Sequence, residues 1–199
     1  MPKVVDHDER RELIADALWT VVRRDGYAAV SVRTVAAETG MSTGALRHYF
    51  ASQDELVAFA MASLMERARA RLTEVGARAT DFEGVLALLE EVLPLDAQRQ
   101  AESEVWLAFV AASRTDPSLR PLAGEAHRAL RGLCDSVVRA VSGRGDDTPD
   151  LTEETDALHG LVDGLAVQRT LYPKMLPRQR IRTVLRRYLI ELAGRTGTV

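Results

Sequence analysis

The stretch Ser31-Val32-Arg33-Thr34-Val35-Ala36-Ala37-Glu38-Thr39-Gly40-Met41-Ser42-Thr43-Gly44-Ala45-Leu46-Arg47-His48-Tyr49-Phe50 decides the fold. It reads as two short helices around a tight turn. Ala36 is small where two helices cross closely, Gly40 supplies the positive φ that ends the first helix, and Leu46 anchors the second. Ser42 is a good N-cap for that second helix, whose polar outward side is free to face base edges. The combination is that of a helix-turn-helix that reads DNA.

Upstream, Leu13, Ile14, Ala17, Leu18, Val21 and Val22 recur at helical spacing and predict a helix over about residues 8–24, closed by Gly26. Downstream, Ser52-Gln53-Asp54-Glu55 is a capping box opening a long helix through Leu56, Phe59, Ala60, Leu64, Ala68 and Leu72 to near Gly76. That helix is long enough to belong to two modules at once. The rest shows no alternating strand pattern and no repeat, and five more helices are expected. They cover about residues 82–93, ending at Pro94; 97–114; a system from Asp116-Pro117 to Val141, broken near Pro121; Asp150 or Thr152 to Leu171; and Pro177 or Arg178 to Leu192. Residues 143–149 read as a flexible loop. The expected architecture is all-α: a three-helix head over residues 1–51, then a larger helical domain over 52–199 entered by the long connecting helix.

Composition narrows the function. The 199 residues are 46% hydrophobic, enough for a substantial core, and the single cysteine, Cys134, excludes an internal disulfide. No basic start followed by an apolar run points to export, and no apolar stretch approaches the roughly 20 residues that span a bilayer, so a cytoplasmic protein is expected. The net charge is −3, and through Phe50 seven cations meet seven acids. DNA binding must therefore rest on arrangement: helix N-termini at Ser31 and Ser42, with Arg33 and Arg47 beside them, are placed to hold phosphates. Binding is expected to be salt-sensitive and to depend on a dimer.

The first quarter of the chain resembles the DNA-binding domain of the TetR family of transcriptional regulators. The resemblance is carried by residues 29–36, Gly40-Met41-Ser42, Gly44-Ala45-Leu46, His48-Tyr49-Phe50 and Asp54-Glu55-Leu56. It implies a homodimer, a recognition helix over residues 43–49 in the major groove, a roughly palindromic double-stranded DNA operator, and a C-terminal domain that binds a small-molecule inducer and forms the dimer. By the same resemblance, Ser31 and Thr43 touch phosphates or base edges, Ala45 and Arg47 face bases, and His48 and Tyr49 meet the backbone. Ser42 and Gly44 belong to the same surface. Many members carry Tyr where this chain has Arg47, and Lys where it has Gln53. The first change allows a bidentate guanine contact; the second makes one phosphate contact polar rather than cationic. Residues 104–109, Asp116-Pro117 and residues 158–165 are similar to the C-terminal domain of the BetI-like subgroup, whose best-known member answers to choline. That similarity favours helices 156–171 and 178–192 pairing with their dimer mates in a four-helix interface.

Other readings are weaker. Gly40-Met41-Ser42-Thr43-Gly44 matches the Gly-x-Ser-x-Gly elbow of hydrolases, but the elbow needs a strand before the serine, and Val35 to Thr39 reads as helix. No enzyme is expected. None of the four histidines forms His-x-x-x-His, one cysteine builds no thiolate site, and neither a metal nor a cofactor is implied. His127 and Cys134 share a helix face and read as partly buried core positions. Trp106 and Phe109 share a face with Val105 and Val110, which ordinary core packing explains. The sharper reading is an apolar inducer pocket lined by Leu89, Trp106, Phe109, Leu130, Cys134, Val167 and Gln168, with Glu102 or Asp163 holding a cationic ligand. Arg178, Arg180, Arg182, Arg186, Arg187 and Arg195 read as a solvated face. A helical sensor or partner-binding protein whose head no longer reads DNA is the runner-up.

Overall fold

The computed structural model describes residues 7–143 and 151–196. Among them the helices are α1 (His7–Asp25), α2 (Val32–Thr39), α3 (Thr43–Arg47), α4 (Gln53–Gly76), α5 (Phe82–Glu90), α6 (Ala97–Ser113), α7 (Arg120–Ser142), α8 (Thr152–Leu171) and α9 (Arg178–Thr196), with no strand among the described residues. Two short 3₁₀ turns, Tyr27–Ala29 and Pro117–Leu119, precede α2 and α7.

Most boundaries follow local chemistry. Ser31 and Thr34 cap α2 reciprocally, and Gly40 at φ 69° closes it, with the Met41 amide donating to the Ala36 carbonyl at 3.0 Å. At α4, Ser52 accepts from the Glu55 amide, but the Glu55 carboxylate reaches past the cap to the Ala51 amide at 2.7 Å. The capping box is thus displaced by one residue. Helix α5 stops at Glu90, short of the expected Leu93, because its last bonds tighten to three-residue spacing and the residue before Pro94 is biased away from helix. Pro121 does not break the helix there; it lies in the first turn of α7, where its missing N–H costs nothing. Thr152 is the first residue of α8 rather than its cap; the cap is Leu151. Asp150 and residues 144–149 of the expected loop lie outside the described residues. Helix α9 continues past Leu192 to Thr196.

The head core joins Ile14, Leu18, Val21 and Val22 of α1 to Val35 and Ala36 of α2, Leu46 of α3, and Phe50. Leu56 and Ala60 of α4 and Ala101 and Val105 of α6 complete it, so the head is packed against the second helical layer. Trp19 Nε1 donates to Ser63 Oγ at 3.0 Å, and Asp16 pairs with Arg67 at 2.9 Å, fixing α1 along α4. A second core gathers Leu86, Leu89 and Leu93 with Cys134, Val137 and Val138 of α7, Leu158, Val162 and Leu165 of α8, and Ile181, Leu185, Leu189 and Leu192 of α9. The C-terminal arginines are only partly a solvated face: Arg182 pairs with Glu90 and Arg186 with Glu83, tying α9 to α5. The Arg195 side chain lies outside what is described.

Candidate nucleic-acid interface and ligand cavity

Helix α3 is held from beneath and open from above. Leu46 is fully buried, whereas Ser42, Thr43, Gly44, Arg47 and His48 are exposed and Ala45 and Tyr49 are half-buried. The Ser42 hydroxyl accepts from the Ala45 amide at 3.0 Å, which stabilises the first turn and leaves its own proton free to donate outward. Ser31, half-buried, spends its oxygen on the Thr34 amide, so its first role is to cap α2. The expected helix over 43–49 is shorter, Thr43–Arg47, with His48 as its C-cap. Helix α2, not a strand, precedes Ser42, which is the wrong context for a nucleophile elbow.

The neutral charge count resolves spatially. Arg24 engages Asp25 and Glu38 at 2.9 Å each, and Arg67 holds Asp16. Exposed Arg33 and Arg47 enter no ion pair among the described residues, so the surface that carries α3 keeps unspent cations. Gln53 is committed internally: its Nε2 donates to the Val30 carbonyl at 2.9 Å, locking the start of α4 to the segment that leads into α2.

Behind the head, α4, α6, α7 and α8 line an open cavity of about 720 Å³. Met61, Leu64, Met65, Ala68 and Leu72 of α4 form one wall, facing Trp106 of α6, Leu130 and Leu133 of α7, and Val162 and Ala166 of α8. A recess of about 230 Å³ shares Trp106, Ala126, Leu130 and Asp163 with it and adds Phe109, His127 and His159. The His127 and His159 rings lie 4.9 Å apart, and His159 Nε2 stands 3.5 Å from the Asp163 carboxylate. Burial pushes the Asp163 carboxyl above its usual range, against the opposing pull of His159 and His127. At the other end of the cavity, Arg71 of α4 bridges Glu91 and Glu102, and Arg99 bridges Glu91 and Asp96.

Residues 14–59 match the family described as bacterial regulatory proteins, tetR family, and residues 81–194 match the C-terminal region of BetI-type transcriptional repressors. The HTH-type transcriptional regulator PksA of Bacillus subtilis (strain 168) is 35% identical over 191 residues, 95% of this chain and 92% of that one. The chain belongs to the TetR family. A solved transcriptional regulator from Rhodococcus sp. Rha1 superposes on it with a TM-score of 0.79 at 30% identity, over 95% of this chain and 98% of that one. The multidrug binding protein EbrR, solved in complex with ethidium, superposes with a TM-score of 0.59 at 29% identity, over 90% and 98% of the two chains. A TetR-family chain of this kind is a DNA-binding transcriptional regulator.

In this TetR-family regulator the seven residues expected to line the inducer pocket divide. Trp106 and Leu130 line both the cavity and the recess, and Phe109 lines the recess alone. Leu89 and Cys134 are fully buried in the core against α9, and Val167 and Gln168 line neither space, Gln168 being exposed. The helical phase explains this: Val162, Asp163 and Ala166 face the cavity, and the next residues in sequence turn away. Burial, reinforced by the Asp163 charge, pushes the Cys134 thiol up to about 12. His127 is not a partly buried core position; its ring is exposed and rests against His159 from the neighbouring helix. Sequence reading missed the α4 wall, because Leu64, Ala68 and Leu72 were legible as an apolar stripe that fits a core equally well. It also missed Glu125 on the cavity rim, which carries no spacing signal.

Proposed function

We propose that the protein is a ligand-responsive repressor that binds a palindromic operator as a homodimer and is released by a small-molecule inducer held in the α4–α8 cavity. One observation carries the reading: α4 belongs to both parts. Its first turns, Leu56 and Ala60, lie in the core that holds α3, and its later turns, Leu64, Ala68 and Leu72, are the cavity wall. A ligand that displaces this wall moves the helix on which the head is mounted. In a dimer whose half-sites repeat about every 34–36 Å, a change of several ångströms between recognition helices uncouples the pair from DNA.

Dimerisation through α8 and α9 is supported by what their outer surfaces leave open. Leu171, Tyr172 and Ile190 are 55–56% exposed, and a side chain added at Gly160, Gly164 or Gly194 would meet nothing within 4 Å. The similar EbrR structure is complexed with ethidium, which supports a ligand-binding role for this chain.

The test is inducer affinity measured twice, on free protein and on protein bound to its operator. The reading requires weaker binding to the operator complex; equal affinities would refute it, because a ligand without differential affinity shifts nothing.

A further inference from the structure

We propose that ligands enter and leave this cavity through the seam between α4 and α7, and that Ala129 on the α7 edge sets what size of molecule passes. The inference rests on the reading of the cavity as the ligand site and adds the route by which that site is reached.

The walls follow one another around the cavity in the order α4, α6, α8 and α7. Three of the four seams are laced by polar contacts. Arg71 of α4 holds Glu102 of α6 at 2.6 Å, the hydroxyls of Ser103 on α6 and Thr170 on α8 share a hydrogen bond of 2.6 Å, and Arg131 of α7 pairs with Asp156 of α8 at 3.1 Å. The fourth seam is open. Among the described residues no hydrogen bond or ion pair joins α4 to α7, and Arg69, on the α4 edge, bonds instead to Glu66 of its own helix at 2.6 Å.

A residue that both lines a cavity and meets bulk water stands at its mouth. The exposed lining residues all lie along this seam: Ala62, Glu66, Arg69 and Thr73, three or four residues apart on α4, and Glu125 and Ala129, one turn apart on α7. Every other lining residue, those of α6 and α8 included, is buried or half-buried. The mouth is therefore a slot between two helices. Glu66, Arg69 and Glu125 are long side chains that can swing aside, whereas Ala129 leaves space that a bulky side chain would fill. A molecule wider than the slot parts α4 from α7 as it enters, and α4 is the helix on which the head is mounted.

Ala166 of α8 is buried, lines the cavity and stays out of the recess, so a cysteine placed there reports access to the cavity. The full chain carrying Ala166→Cys is treated with methyl or benzyl methanethiosulfonate, and modification of each thiol is followed by peptide mass. Leu72→Cys, on the α4 wall, is a second reporter. Cys134, fully buried in the core, is the internal reference for access by unfolding. The introduced thiol should react at least about tenfold faster than Cys134, which is reached only when the chain opens. Adding Ala129→Phe should slow the benzyl reagent severalfold, and more than the methyl one. Ser136→Phe, exposed on the same helix beyond the cavity, should change neither. An introduced thiol no more reactive than Cys134, rates untouched by Ala129→Phe, or equal slowing by Ser136→Phe would overturn the seam as the route. Slowing by His127→Phe in place of Ala129→Phe would overturn it in favour of the recess, where His127 is exposed. Equal inducer affinities for free and operator-bound protein would remove the ligand reading and leave these rates as they are.

Discussion

Arg71 on α4 and Glu102 on α6 face each other at 2.6 Å, and the same guanidinium holds Glu91 at 3.0 Å. The Glu102 side chain is only 8% exposed, so its charge depends on this partner. The pair ties the cavity wall to the helix whose Ala101 and Val105 sit in the head core. Removing the arginine strands a buried carboxylate. Arg71→Met is expected to lower stability by about 3 kcal/mol, read as a shift in urea midpoint at unchanged slope. Arg71→Met combined with Glu102→Leu should recover most of the loss, since no stranded charge remains.

Asp163 gives the stability a defined pH dependence. Its folded carboxyl titrates above the range of the unfolded chain because of burial, so its favourable contribution is complete below the ordinary carboxylate range and is lost as pH rises through the raised value. At neutral pH the carboxyl group therefore opposes folding. Asp163→Asn is expected to raise Tm at neutral pH, with the advantage shrinking in mild acid. A lower Tm at neutral pH would contradict the assignment.

Cys134 is fully buried, and its thiol is pushed up to about 12 by burial. Almost no thiolate exists at neutral pH, and the sulfur is out of reach. Native protein should resist iodoacetamide over hours, and the denatured chain should label stoichiometrically at this one site, as read by intact mass.

Gly40 occupies the left-handed region at φ 69°, although a side chain there would meet no neighbour. The strain is in the backbone alone. Gly40→Ala should cost about 1–2 kcal/mol, visible in thermal unfolding. Gly84 differs, because an added Cβ would stand 2.5 Å from the Ala79 Cα, and Gly84→Ala should force the α4–α5 connection apart.

The head was legible because every signal was local. Ser31, Gly40, Ser42 and Ser52 each act on backbone groups within a few residues, and all four are found in those roles. The long-range relations were not. His127 and His159 meet only because α7 and α8 pack side by side, and no spacing along one helix reports that. Leu89 and Trp106 are both apolar residues on amphipathic helices, yet one closes the core and the other opens onto the cavity. Periodicity identifies the buried face of a helix but does not say whether that face meets side chains or empty space. Glu102 is tied to Arg71, 31 residues away in sequence, and no spacing signal reports that pairing.

We propose that Arg47 of α3, exposed and without an acidic partner among the described residues, reads base edges. Selection of bound duplexes from a random library, at near-physiological salt, tests this most directly. The wild-type chain should enrich a single palindromic consensus, and Arg47→Ala, with unchanged fold, should lose about 1–3 kcal/mol of discrimination at the base pair it contacts. No enrichment by the wild-type chain, or an identical consensus and affinity for Arg47→Ala, would contradict it.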